Sequence, residues 1–218
     1  MSETITRGIT GAVIVLVIVA ASYLSVYSAL VFWSLITVLA IIELRKNKMG
    51  GSLTALYLVV VCCSMILLGF VSYDSGIFSF KTLSREAYDG MNLVVFMCVI
   101  WANDTFAYLG GRLIGKKVVK VGLAPNISPN KSWEGALIGS LSAAFIGYLF
   151  LGSIGVIIAL ITSVTATLSD LIESKGKRKV GIKDSGNLLP GHGGILDRFD
   201  ALLLSAPITF IAVYLLSQ

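Results

Sequence analysis

The chain has 218 residues, of which 56% are hydrophobic and 13% charged, and a mean hydropathy of +0.89. That composition excludes an ordinary soluble globular domain and makes the lipid bilayer its solvent. The net charge of +5 does not argue for nucleic acid, because a basic excess on a membrane protein reflects orientation signals and phosphate-bearing headgroups.

The apolar runs are near-continuous rather than alternating, so the backbone polar groups must be satisfied within helices and not in a barrel. The fold class expected is all-α, a polytopic integral membrane helical bundle with about seven transmembrane helices. Arg7 is the one basic residue ahead of the first apolar run, which continues into further hydrophobic sequence and so reads as an uncleaved span. Gly8 to Ile42 carry no charge, a length of about 50 Å as helix against roughly 30 Å of hydrocarbon. They divide into spans near 8–25 and 27–43 with a turn around Ser25 to Ser28, followed by the basic exit Arg45, Lys46 and Lys48. A third span covers 53–72, and the polar stretch Tyr73 to Gly90 is a loop. The fourth, 91–109, carries Asp104 near its end; the fifth, sixth and seventh cover 134–151, 154–174 and 195–216. The chain thus divides into N-terminal spans with an outer loop, 1–90, and a catalytic region of spans four to seven with basic loops, 91–218.

With the N-terminus inside, the loops after spans two, four and six carry fourteen of the seventeen Lys and Arg residues, counting Arg198 at the last boundary. The outer loop keeps Lys81 and Arg85. This asymmetry follows the positive-inside rule, puts the C-terminus outside and gathers the basic segments at the inner boundary. Cys62, Cys63 and Cys98 lie in apolar stretches with a spacing unlike a metal site, and read as small hydrophobes.

The chemistry lies after position 100. Asp104, Asp170, Asp197 and Asp200 sit at or within helix ends, where an unpaired carboxylate is costly and is retained for function or paired. Asp170, Ser174 and Lys177 recur at spacings of four and three, which places them on one helical face. Asp197 and Asp200 share a face at the start of the last span, so two helix ends converge three carboxylates on one point. Carboxylates without His or Cys partners suit hard cations, and Mg²⁺ is held by one or two of them plus substrate phosphates. The intervening loop offers Lys175, Lys177, Arg178, Lys179 and Lys183 to phosphates, although Lys175 and Lys179 read rather as topology determinants. Its Gly-rich end, Pro190-Gly-His-Gly-Gly194, can bring N–H groups to anions, and His192 is the one histidine. A buried ion pair with a neighbouring Lys or Arg is the alternative role for these aspartates. A second cluster runs from Asn103 and Asp104 through Tyr108, Arg112 and Lys116 to Lys131, Ser132 and Glu134. Ser132 and Glu134 also have the pattern of a helix cap. Walker, kinase, serine-elbow and zinc motifs are absent from the sequence.

The string Ser174-x-x-Lys177-Arg178-x₄-Lys183-Asp184-x-Gly186-x-x-Leu189-Pro190-x-His192-Gly193-Gly194-x-x-Asp197-Arg198-x-Asp200 resembles the signature of the phosphatidate cytidylyltransferases. The preceding Ser169, Asp170 and Glu173 look like that family's lead-in, and the segment from Asp104 to Gly135 is also similar to it. Gly176 and Asn130 depart from the family's pattern, and neither removes a carboxylate. The resemblance implies transfer of a cytidylyl group from CTP to phosphatidic acid, with Mg²⁺ and room for a second cation such as K⁺. It assigns Asp170, Asp197 and Asp200 to metal and Lys177, Arg178, Lys183 and Arg198 to phosphates, oriented by Ser174 and His192, with Asp184 among the catalytic set. Asp104, Tyr108, Arg112, Lys116, Lys131, Ser132 and Glu134 fall on the nucleotide or lipid side. The partners implied are CTP, phosphatidic acid and membrane lipid; a homodimer is common among membrane enzymes, but no sequence feature identifies an interface. The competing readings are another CTP-dependent membrane enzyme, such as a CDP-archaeol synthase or polyprenol kinase, and a transporter, against which the charge-free first three spans speak.

Overall fold

The computed structural model describes residues 3–74, 77–188 and 193–218. Its helices are α1 (Glu3–Leu24), α2 (Val26–Lys46), α3 (Ser52–Leu68), α4 (Met91–Ile114), α5 (Trp133–Lys179), the short α6 (Leu196–Phe199) and α7 (Leu202–Leu216). The helical class stands. A two-stranded antiparallel hairpin, β1 (Val71–Asp74) and β2 (Ile77–Phe80), occupies part of the segment expected to be loop. α3 also stops at Leu68, short of the expected 72, where Gly69 packs under the Tyr88 ring and Val71 and Phe78 join an apolar cluster with Ile158 and Val213.

Two predicted breaks are sharp. Ser25 interrupts α1 and α2 as an extended residue, and with Ser28 forms a reciprocal capping box, each hydroxyl 3.1 Å from the other's backbone nitrogen. In α5 the helix breaks at Gly152, with φ +61° and ψ −150°, a conformation open to glycine and strained for other residues. The arms 133–151 and 153–179 then fold back on each other. Gly147 meets Gly155 and Ala159 so closely that a Cβ at Gly147 would lie 2.3 Å from the Gly155 carbonyl oxygen. Ser140 and Ser163 hydroxyls hydrogen-bond across the same hairpin at 2.7 Å.

Among the described residues, α2, α4, α5 and the run Leu196–Leu216 are long and apolar enough to cross a membrane, while Gly8–Leu24 and Ser52–Leu68 are apolar but shorter. The chain is an integral membrane protein. Leu24, Val31, Leu53, Leu137 and Leu141 stand exposed on the outside of the bundle, the lipid-facing surface, while Trp33, Met65 and Leu93 are fully enclosed within it.

The backbone of the last helix is completed by its neighbours. Pro207 cannot donate to the carbonyl of Leu203, and the Tyr57 hydroxyl of α3 donates to that carbonyl instead, at 2.6 Å. At the junction of α6 and α7, the Ser169 hydroxyl donates to the Asp200 carbonyl and accepts from Leu204 N–H, standing in for the missing helical rung.

Two helices run further than their sequence pattern implied. α4 extends past 109 to Ile114, so Arg112 lies in its last turn. The second arm of α5 extends past 174 to Lys179, which puts Lys175, Lys177, Arg178 and Lys179 on a helix rather than in a loop. Buried Lys177 explains that extension: its ammonium meets Glu173 one turn back and Asp197 across the gap, so the turn carries its own ionic anchor.

Candidate active site

The end of α4, both ends of α5 and the start of the α6–α7 run come together at one end of the bundle. They enclose a cavity of about 590 Å³ lined by Asp104, Tyr108, Arg112, Lys131, Ser132, Asp170, Asp197 and Asp200, with Asn103, Gly111 and Thr167. The two clusters separated in sequence therefore form a single site. Close packing makes this possible, because Gly135 on α5 leaves room for the Gly111 backbone and for the Ala107 carbonyl, 2.7 Å from where a Cβ would stand.

Each carboxylate has its own setting. The Lys131 ammonium bonds Asp170 Oδ2, and the Ser174 hydroxyl donates to Oδ1 at 3.2 Å, so the i, i+4 pair expected on one face is formed. Asp104 Oδ1 accepts from the Asn103 amide at 3.0 Å. Asn103 is itself buried, its oxygen accepting from Ser163 at 2.6 Å. The sequence placed Asn103 in the second cluster beside Asp104 without a role of its own. Asp200 Oδ1 accepts from the N–H of Ala201 at 2.8 Å, and Asp200 stands in the negative field of Asp170, Glu173 and Asp104.

Asp197 differs. Its Oδ1 accepts from Lys177 at 2.7 Å, and its Oδ2 accepts from the backbone N–H groups of Ser185 and Gly194, both at 2.8 Å. Asp170, Asp197 and Asp200 all line the cavity, but among the described residues no group of three or more His, Cys, Asp or Glu side chains is arranged to hold a metal ion. The expected convergence of three carboxylates on one point is therefore corrected: Asp197 faces Lys177 and the loop. Lys177 is corrected with it. It is buried between Glu173 and Asp197, each 2.7 Å away, and does not present its charge to a phosphate. Both carboxylates share this one ammonium, and Glu173 Oε1 is buried without a hydrogen-bond partner among the described residues.

The second cluster divides in the same way. The Ser132 hydroxyl caps α5, accepting from Gly135 N–H at 3.1 Å while lining the cavity. Glu134 accepts from the backbone N–H groups of Lys116 (3.1 Å), Val118 (2.9 Å) and Val119 (2.8 Å). Its carboxylate thus folds the connection after α4, and its expected contact with substrate gives way to that task. The Lys116 ammonium donates to the Pro129 carbonyl at 2.7 Å. Arg178 donates to the Ile182 carbonyl at 3.0 Å, and Lys183, Asp184 and Arg198 are exposed and do not line the cavity. His192 lies outside the described residues.

Glu43 went unread in the sequence. It is buried at the end of α2 and accepts from the Ser185 hydroxyl (3.0 Å) and from the N–H groups of Ile195 and Leu196 (both 2.9 Å). One side chain therefore ties both ends of the 185–195 connection to the N-terminal helices, at the positive end of the α6–α7 run. Gly186 and Gly194 are small for this reason: a Cβ on either would come within 2.6 Å of a Glu43 oxygen. An acid two residues before the basic exit Arg45, Lys46 and Lys48 was the available signal.

Residues 4–216 match the model of the cytidylyltransferase family. A protein named phosphatidate cytidylyltransferase from Rickettsia typhi is 40% identical over 69% of this chain and 71% of its own length. A protein of the same name from Brucella abortus is 35% identical over 88% of this chain and 76% of its own.

Proposed function

This chain belongs to the cytidylyltransferase family, and from that premise we propose that it transfers CMP from CTP to phosphatidic acid, giving CDP-diacylglycerol and pyrophosphate. The observation that carries the reading is the single cavity at a membrane-helix end, where Asp104, Asp170 and Asp200 face Lys131 and Arg112. A nucleotide must come from water and the acyl chains must stay in hydrocarbon, so the reaction belongs at such a boundary. Loop charge argues that this boundary is the cytoplasmic face of an inner membrane, with fourteen of seventeen basic residues at that end.

In the reaction a phosphate oxygen of phosphatidic acid bonds to the α-phosphorus of CTP, the bond from that phosphorus to the bridging oxygen breaks, and pyrophosphate leaves with the electron pair. Little covalent work falls to the protein, which positions two anions and stabilises charge. Lys131 and Arg112 supply the cations. Lys131 is half-exposed on Asp170 and can turn to an incoming phosphate. The N-terminus of α5, capped by Ser132, adds its partial positive charge at the cavity wall. Asn103 fixes Asp104, and the Ser169 splice fixes the backbone of Asp200.

The donor set fits Mg²⁺. Asp170 and Asp200 would hold it together with substrate phosphate oxygens, the arrangement this ion favours when no full protein cage exists. When bound it would neutralise charge on the phosphates. Asp197 keeps its place as the holder of Lys177 and the loop. Incubating the purified protein with CTP, phosphatidic acid and Mg²⁺ is expected to release pyrophosphate and form a CDP-lipid, both abolished by EDTA. Absence of pyrophosphate release with CTP across lipid acceptors would overturn the reading.

A further inference from the structure

After Gly115 the connection between α4 and α5 runs Lys116-Lys117-Val118-Val119-Lys120-Val121, and these six side chains are all exposed. Val118 is 81% and Val121 64% exposed, a poor position for valine in water. Both neighbours of this segment are surfaces that face lipid. Leu113 and Ile114 are exposed on the last turn of α4, and Trp133, exposed at the first turn of α5, is the residue type that sits at headgroup level. Glu134 holds the segment in shape through its three backbone hydrogen bonds, and Lys116 adopts a positive φ of 61° to enter it. Spending the Glu134 carboxylate on the backbone leaves Lys117 and Lys120 without an ion pair among the described residues.

We propose that residues 116–121 form a membrane-surface wedge beside the cavity, with Val118 and Val121 in the interfacial layer and Lys117 and Lys120 on the headgroup phosphates of anionic phospholipid. Valines and lysines together match this boundary: the apolar groups leave water there, and the ammonium groups meet anions at the depth where the valines stop. The Glu134 clamp is what keeps both sets pointing outward instead of folding onto the protein. The wedge depends on the membrane reading alone, not on the reaction with CTP.

Spin labels at Val118→Cys and Val121→Cys test it, with Cys62, Cys63 and Cys98 replaced by Ala and the protein in phosphatidylcholine vesicles with and without phosphatidylglycerol. With phosphatidylglycerol both labels are expected to collide with dissolved oxygen in preference to a water-soluble nickel chelate, whereas a label at exposed Asn126 prefers the chelate. Changing Lys117→Gln and Lys120→Gln is expected to reduce the oxygen-to-chelate ratio on the order of fivefold per lysine, the surface attraction of one basic side chain. Chelate preference at 118 and 121 in the anionic vesicles overturns the proposal, as does an oxygen preference indifferent to phosphatidylglycerol or to the two lysines. Should the cysteine-free chain misfold, Val118→Trp read by brominated phosphatidylglycerol, as the quenching in excess of that of Trp33, Trp101 and Trp133 in the parent chain, gives the same two outcomes. Because the readout is positional, a chain inactive toward CTP still answers.

Discussion

The two ends of this bundle are closed by different physics. At the hairpin end, Val71 and Phe78 pack on Ile158 and Val213, and Phe80 sets its ring edge against Phe210 and Tyr214 with centroids 6.1 and 5.9 Å apart. At the cavity end, Glu43, Glu134 and Asp197 hold loops through backbone N–H groups, and Lys177 joins two acids. Lipid tails are as apolar as leucine, so apolar contact between helices brings little hydrophobic gain and works by shape. The hairpin end can rest largely on shape because the space left there, about 50 Å³, is lined mainly by apolar side chains such as Val71, Phe78, Ile158 and Val213. The cavity end must admit phosphates and water, so its loops are fixed by bonds that hold their geometry in a polar surrounding.

The contrast breaks hardest at the carboxylates. Asp200→Asn is expected to lower turnover on the order of 10³-fold or more, yet to keep the melting temperature in detergent, because Asn retains the size of the side chain and an oxygen for the Ala201 N–H. Asp197→Asn is expected to lose activity and stability together, since Lys177, Ser185 and Gly194 all donate to that side chain. Equal thermal behaviour of the two variants would erase the distinction between a reactive carboxylate and a holding one.

Next in size is Glu43→Ala, which strands the Ser185 hydroxyl and the N–H groups of Ile195 and Leu196. A loss of about 3 kcal/mol is expected, with new protease cutting between α5 and α6 and partial recovery in Glu43→Gln. An uncut loop would show that α2 does not hold it.

The smallest effect belongs to the hairpin end. The Tyr88 hydroxyl donates to the Ser22 carbonyl at 2.6 Å, and Tyr88→Phe is expected to cost about 1 kcal/mol with no change in turnover. Burial pushes the Tyr88 phenol up from 10.0 to about 12. The folded state therefore favours the neutral phenol: its contribution is complete below pH 10 and is lost as pH rises towards 12. Tyr88→Phe should flatten that part of an alkaline melting series, and an unchanged series would remove Tyr88 from it.

What the sequence made legible follows the same division. The break at Ser25 and the turn near Gly152 could be read because length, capping residues and glycine act locally. Asp104, Asp170 and Asp200 stood out because a carboxylate in a membrane helix is conspicuous on its own. Glu43 did not, since its partners lie 142 to 153 residues away and no local pattern predicts them. Lys177 and Glu134 were conspicuous but misassigned: a basic or acidic side chain near a phosphate site looks the same in sequence whether it meets substrate or a neighbouring backbone. The hairpin at 71–80 was hidden by polar and aromatic residues whose partners are at the Gly152 break of α5 and near the end of α7.

The splices into the last helix bear on how the chain matures in a membrane. A segment whose Leu203 carbonyl waits for Tyr57, and whose Asp200 and Leu204 backbone groups wait for Ser169, is incomplete as a solitary span. Hydrocarbon offers it no water to stand in. The C-terminal helix therefore reaches its finished form only once α3 and α5 are already beside it, and assembly of the bundle ends where the carboxylates of the cavity begin.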